Sequence, residues 1–161
     1  MNIIDLLKQK TIKIPWKKYY NKDELKFKVE DISIYEMFKR SALKNMNSPA
    51  VNYYGNVFSY KSFLSKIDKA AISFNSIGVK KGEVVTICMP NTPEGLISFY
   101  ATSKIGAITN MIHPLSSEEE IKNYLKETDS TAFIMIDMCY EKVKNIIDDK
   151  IYQIIKEAAW W

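Results

Sequence analysis

Three short apolar runs, Val84–Met89, Ala107–Ile112 and Ala132–Ile136, constrain this chain more than any other feature. Each has the length of one β-strand. Apart from Thr86, Thr109 and Asn110 they are apolar at successive rather than alternate positions, which reads as strands needing burial on both faces. The segments between them carry helical spacing and helix-start chemistry. Thr92 offers an N-cap, Pro93 a first helical position and Glu94 an acid near the positive helix end, with Gly106 as the stop. Ser116 and Ser117 stand three residues before Glu119 and Glu120, which gives two overlapping capping boxes ahead of Ile121, Tyr124 and Leu125. Tyr140–Ile147 reads as a further helix on Val143, Ile146 and Ile147. Apolar strands alternating with helices fold as right-handed βαβ units, so the expected class is α/β: a parallel sheet flanked by helices. Such sheets meet ligands at the carboxyl ends of their strands. Here those ends are Pro90-Asn91, His113-Pro114 and Asp137-Met138.

Upstream, Ser33 three residues before Glu36 predicts a capped helix whose buried stripe is Ile34, Met37 and Phe38, ended by Asn47-Ser48-Pro49. A β-hairpin is expected next. Ala50–Tyr54 and Val57–Tyr60 are rich in β-formers, and Gly55-Asn56 between them suits a tight turn. Ser59 then caps a helix to about Ile77. Its Phe63, Leu64, Ile67, Ala70, Ala71, Phe74 and Ile77 step by three and four, and Gly78 is its left-handed stop.

A length of 161 residues suits one domain, and 47% hydrophobic with 26% charged residues excludes a disordered, collagen-like or disulfide-scaffold chain. No apolar run has the roughly 18–20 residues a membrane span needs, and no secretion signal is evident. Cys88 and Cys139 are far apart in sequence and show no zinc spacing. A reducing cytoplasm is the expected location. The net charge of +4 sits wholly in residues 1–30, with eight Lys against four acids; residues 31–161 balance at fifteen of each sign. Residues 1–32 therefore read as a basic aromatic leader. Trp16, Tyr19, Tyr20 and Phe27 interrupt its lysines and favour packing on a surface over nucleic-acid binding.

A complete active site is not legible. Neither a dinucleotide fingerprint after a strand, nor a P-loop, nor a G-x-S-x-G elbow occurs. His113 is the only histidine. It would pair with Asp137 at the sheet's carboxyl edge only if their strands were neighbours, and a loop role is preferred for it. Glu118-Glu119-Glu120 reads as a helix start rather than a metal site, Asn91 as a helix cap rather than a ligand rim, and Cys88 as a small buried hydrophobe. Catalytic residues: none. Metal ligands: none. Cofactor-binding residues are not identified.

The run from Ser59 to about Ile136 nevertheless resembles the amino-terminal region of the acyl-adenylate-forming ligases, the AMP-binding enzymes that include acyl-CoA synthetases. The resemblance rests on Ser59-Tyr60, Gly78-Val79-Lys80-Lys81-Gly82 with Glu83 where the family has Asp, Pro90-Asn91-Thr92-Pro93-Glu94, Lys104-Ile105-Gly106-Ala107 and His113-Pro114. Their order and spacing carry it more than any one piece. With a weaker match at Ile34–Tyr54 it covers most of residues 33–147. Asn110-Met111-Ile112-His113-Pro114 looks most like bacterial fatty-acid or medium-to-long-chain acyl-CoA ligases.

The resemblance implies the large amino-terminal domain of that family over 33–161, ending before its phosphate-binding loop. It implies a parent activity of ATP-dependent acyl-CoA ligation, with ATP, Mg and CoA required by the complete enzyme and no cofactor expected in this chain. The family's catalytic motifs have no counterpart here, so inactivity alone is expected. The alternative is a stand-alone α/β module that binds a partner polypeptide or a nucleotide. Ile151–Ile155 suits a further strand, and the 151–161 tail, which ends in Ala158-Ala159-Trp160-Trp161, is expected to meet the rest of the ligase or a second copy.

Overall fold

The computed structural model describes residues 15–26, 28, 30–147 and 151–156. The chain divides into two units, Met1–Asp31 and Ile32–Trp161. In the first, two short 3-10 turns span Pro15–Tyr19 and Glu24–Lys26. Asn21 organises the second by accepting from the backbone N–H groups of Asp23 and Glu24, both at 2.9 Å. Trp16, Tyr19 and Tyr20 are exposed; Phe27 lies outside the described residues.

The second unit is a three-layer α/β sandwich. Helix α1 (Ile34–Lys44) leads into a hairpin of β1 (Pro49–Tyr53) and β2 (Asn56–Ser59), then α2 (Tyr60–Ser76). There follow β3 (Val84–Cys88), α3 (Pro93–Lys104), β4 (Ile108–Met111), α4 (Glu118–Glu127), β5 (Ser130–Ile136), α5 (Asp137–Val143) and β6 (Tyr152–Lys156). The sheet is parallel with order β4-β3-β5-β6. Alternate side chains serve opposite cores. Val85, Ile87, Ala132 and Ile134 pack with Phe63, Ile67, Ala71 and Phe74 of α2 and with Ala101 of α3. Cys88, Phe133 and Met135 pack with Ile121 and Leu125 of α4 and with Cys139 and Val143 of α5. The chain thus winds from β3 outward to β4, then back across to β5 and on to β6.

Several local expectations shift. The buried face of α1 is Tyr35 and Ala42 with Phe38 packed beside them, whereas Ile34 and Met37 are exposed. Two apolar faces were available on this helix. The tertiary contacts selected the one where Tyr35 donates through its OH to Asp68 at 3.3 Å and through its N–H to Ser103 at 3.2 Å. The hairpin turn is Tyr54-Gly55 rather than Gly55-Asn56. Both turn residues have positive φ (48° and 87°), and Tyr53 pairs with Asn56. Asn52 Oδ1 holds the turn by accepting from Gly55 N–H at 3.2 Å. Of the two candidate boxes before α4, the Ser117–Glu120 box forms with both reciprocal bonds. Helix α5 begins directly after β5 and ends at Val143, earlier in sequence than the expected Tyr140–Ile147.

Two of the motifs that carry the family resemblance, Gly78–Gly82 and Lys104–Ala107, meet at the amino end of the sheet. Gly82 N–H donates to Gly106 C=O at 2.9 Å, and Ile108 N–H to Glu83 C=O at 2.8 Å, so the turns before β3 and β4 clasp each other. Glu83 accepts from Lys80 N–H at 2.7 Å, closing its own turn with a side chain one methylene longer than Asp. Lys104 pairs with Asp68 of α2 and lies 5.2 Å above the Tyr35 ring, tying α1, α2 and α3 together. Burial pulls the Lys104 ammonium down, but its bonds to Asp68 and Tyr35 outweigh this and hold it above its ordinary value.

Candidate functional site

The carboxyl ends of β3 and β4 frame the candidate site. After β3, Pro90 and Asn91 lead to Thr92, whose Oγ1 accepts from Gly95 N–H at 3.3 Å and caps α3. Thr92 is therefore the cap, and Asn91 is an exposed rim residue, which reverses the preference read from sequence. Gly95 is required by close approach: a Cβ there would sit 3.0 Å from Pro90 O and 3.4 Å from Met89 Cβ. The first turn of α3 can thus lie directly against the end of β3.

Two adjoining hollows open on this edge and share Pro90, Asn91 and Met111. One, of about 270 Å³, runs toward α3 and adds Thr92, Gly95, Leu96 and Phe99. The other, of about 570 Å³, follows the loop after β4 and adds Met89 and residues Ile112 to Leu115. His113 lies in the second as an exposed loop residue. Its Nδ1 accepts from Leu115 N–H at 3.1 Å, which fixes the ring against its own loop and leaves Nε2 for another partner.

Asp137 lines neither hollow. It starts α5 and accepts from Met138 N–H at 2.7 Å. The conditional His113–Asp137 pairing fails for a topological reason: β3 lies between β4 and β5, so the two strand ends are not neighbours. Glu118, Glu119 and Glu120 form the first turn of α4. The backbone N–H and the hydroxyl of Ser117 hold the Glu120 carboxyl below its usual range, with a smaller push from Lys142. Among the described residues no cluster of three His, Cys, Asp or Glu is placed to hold a metal.

Beneath this edge lie two features that sequence reading did not join. Cys88 and Cys139 are both buried, and burial first, then the neighbouring Cys139 thiol, push the Cys88 thiol up to about 12, against a weaker pull from Lys142. A chain of polar groups, buried at Thr86 and Ser130 and partly buried at Asn110 and Thr128, also crosses the sheet. Asn110 Nδ2 donates to Thr86 Oγ1 at 3.0 Å, Thr86 meets Ser130, Ser130 meets Thr128 at 2.7 Å, and Thr128 donates to Tyr124 C=O at 2.7 Å. Each hydroxyl carries one proton, so the chain can run in one direction only, from Asn110 to Tyr124 C=O. Strict alternation along β5 would turn Ser130 away from Thr86. The register slip beside Thr131, between Val84↔Ser130 and Val85↔Ala132, brings it round. A slip of this kind leaves no mark in the hydrophobic pattern.

The lining of the two hollows sets their chemistry. Leu96, Phe99, Met111, Leu115 and two prolines present apolar surface, and Asn91 and His113 supply polar handles. That suits an uncharged or hydrocarbon group with one polar end. It does not fit a magnesium-bound triphosphate, which needs cationic or carboxylate partners that this lining does not offer.

Comparison with known proteins gives consistent results. The family model described as AMP-binding enzyme matches residues 38–158. Acetyl-coenzyme A synthetase 1 of Candida albicans is 27% identical over 133 residues, covering 76% of this chain and 20% of that protein. Long-chain-fatty-acid–CoA ligase of Bacillus subtilis is 25% identical over 122 residues, covering 73% and 22%. 4-Coumarate–CoA ligase 1 of Petroselinum crispum is 31% identical over 102 residues, covering 63% and 19%. Among solved structures, coronafacic acid ligase of Pectobacterium brasiliense superposes with a TM-score of 0.70 at 27% identity, over 76% of this chain and 26% of that one. The NpsA N-terminal subdomain of Klebsiella oxytoca, complexed with anthranilyl-AMSN, reaches 0.68 at 18% identity, over 78% and 31%, a likeness of fold. The chain therefore spans roughly a fifth of the length of these curated relatives.

Proposed function

Because this chain belongs to the AMP-binding enzyme family, we propose that it is the amino-terminal part of an ATP-dependent acyl-CoA ligase. The complete enzyme would convert a carboxylic acid into its acyl-adenylate, releasing pyrophosphate, and pass the acyl group to the thiol of coenzyme A. A carboxylate is a poor electrophile, and the mixed anhydride supplies a good leaving group. The observation that carries the reading is the continuous family match over residues 38–158, joined to the role of the shared motifs. Those at Gly78–Gly82 and Lys104–Ala107 build turns and helix ties at the amino end of the sheet. The motif at Pro90–Glu94 builds a cap beside the hollows.

This chain's own contribution is scaffold and apolar wall. The apolar lining at Leu96, Phe99 and Met111 supports a fatty acid as the substrate class, and a cytoplasmic location accords with CoA chemistry. Among the described residues no helix is long and apolar enough to cross a membrane. Inactivity alone is expected, because stabilising charge on a transferring phosphoryl group requires donors and a metal aimed at it. The test is carboxylate-dependent ATP–pyrophosphate exchange by the purified chain with fatty acids, expected at background. Saturable, acid-dependent exchange would overturn inactivity. ATP binding at micromolar rather than roughly millimolar affinity, a difference of about 4 kcal/mol, would favour a stand-alone nucleotide-binding module.

The proposed partner is the rest of the ligase, or a second copy of this chain in its absence. Strand β6 lies at the end of the β4-β3-β5-β6 order, so its outer edge offers backbone donors and acceptors for pairing. Residues 157–161, with both terminal tryptophans, lie outside the described residues. Light scattering across a concentration series should show association of the intact chain and less of it for a chain ending at Asp149. A monodisperse intact monomer at high concentration would refute a role for the tail.

A further inference from the structure

Cys88 and Cys139 stand 51 positions apart yet share one buried cluster on the α4/α5 side of the sheet. Cys88 is the last residue of β3 and is paired with Met135 of β5; Cys139 lies in the first turn of α5, which follows β5 directly. Both thiols are buried within that cluster. They also converge on one loop. Cys88 Sγ donates to His113 C=O at 3.8 Å, and Cys139 Sγ donates to Pro114 C=O at 3.5 Å. Carbonyls of consecutive residues thus face sulfurs from two different elements. Lys142 reaches the same loop, donating to Ser116 C=O at 2.8 Å.

We propose that Cys88 and Cys139 form a redox site: a buried dithiol that closes to an intramolecular disulfide and so alters the His113–Pro114 loop beside the larger hollow. The co-reactant is a small organic disulfide. Cys139 is 4% exposed against 0% for Cys88, so it meets the reagent first. The Cys139 thiolate attacks one sulfur of the reagent, whose S–S bond breaks. The departing thiolate keeps the electron pair and takes up a proton. The Cys88 thiolate then attacks Cys139 Sγ and expels the second reagent thiol. In sum two protein thiols become one disulfide, and the reagent gains two electrons and two protons as two thiols. Burial holds Cys88 largely protonated at neutral pH, so the second step is slow there and accelerates with alkalinity. Closure removes both S–H donors, and the carbonyls of His113 and Pro114 lose their partners.

The full chain is incubated with excess oxidised glutathione at alkaline pH, quenched with acid, alkylated and mapped by mass spectrometry without reduction. The expected end product is a monomer lighter by two hydrogens, free of glutathione, with the Cys88 and Cys139 peptides joined. Hydrogen exchange across residues 113–117 should be severalfold faster in it than in the reduced chain. Cys88→Ser should stop at a stable glutathione adduct on Cys139. Glutathione retained on either cysteine of the unsubstituted chain, a disulfide-linked dimer, or two thiols that both alkylate after exhaustive oxidation would overturn the pairing. Unchanged exchange in the closed form would overturn its link to the loop. The mapping on the unsubstituted chain is decisive even if Cys88→Ser does not fold.

Discussion

Replacing Thr86 by Val tests whether the polar chain across the sheet stabilises this fold. Thr86 is fully buried on β3, a strand paired on both sides. Valine has nearly the same shape and is a better strand former, so packing alone predicts a neutral or stabilising change. The hydrogen bonds predict the opposite. Thr86 accepts from Asn110 Nδ2 and meets Ser130 Oγ. Without its hydroxyl, the Asn110 amide loses an acceptor and the Ser130 oxygen loses an incoming proton, in a region where water is scarce. A buried polar group left unpaired costs about 1–3 kcal/mol. Asn110 is only half-buried and recovers part of that from solvent, and the added methyl offsets roughly 0.8 kcal/mol. The net expectation is a loss of about 1–2 kcal/mol, seen as a fall in Tm of roughly 3–6 °C for a chain of this size. Urea unfolding followed by far-ultraviolet circular dichroism measures it. Ser130→Ala removes the next link, and the double variant should lose about 1 kcal/mol less than the sum of the single losses. If Thr86→Val is as stable as the unsubstituted chain and the two changes simply add, the polar chain contributes nothing and the reasoning fails.

Two further tests address the turn clasp and the buried thiol. Gly106→Ala places a side chain at a φ of 74° with its Cβ 2.9 Å from Lys81 Cγ; it should cost about 1–2 kcal/mol, and an unchanged urea midpoint would show that the clasp is not needed. Cys88 has its folded-state pKa raised to about 12, so its contribution is fully present below the unfolded thiol value of about 8.5 and is lost as pH rises through the folded one. Stability should fall by up to about 1.4 kcal/mol per pH unit between roughly pH 9 and 12, more gently in Cys88→Ala, and equal slopes in the two proteins would remove Cys88 as the cause. Tyr100, raised by burial and then by Tyr60, adds to the alkaline loss in both.

The sequence by itself determined the layers of this protein. Val84–Met89 and Ala132–Ile136 are apolar on both faces, and a covered parallel sheet buries both; Ala107–Ile112 supplies the edge strand, where Ile108 and Met111 stay exposed. Ser33, Ser59, Thr92 and Ser117 each stand where a helix has unpaired N–H groups, and each caps one. These are short-range facts, set by spacing and by what one side chain can reach along its own chain. What only the tertiary structure decided depends on which strands lie side by side. Placing β3 between β4 and β5 separates His113 from Asp137. The same order brings Asn110, Thr86 and Ser130 into one line and Cys88 beside Cys139, although nothing in their spacing announces either group. The buried face of α1 was chosen in the same way, because Ile34 and Met37 are as apolar as Phe38, and it is the positions of Asp68, Ser103 and the rings of Phe63 and Tyr100 that favour Tyr35 and Phe38. Local pattern fixes which elements form and which way most of them face. Strand order and a one-residue register slip fix which polar groups meet, and those arise from packing the whole sheet at once.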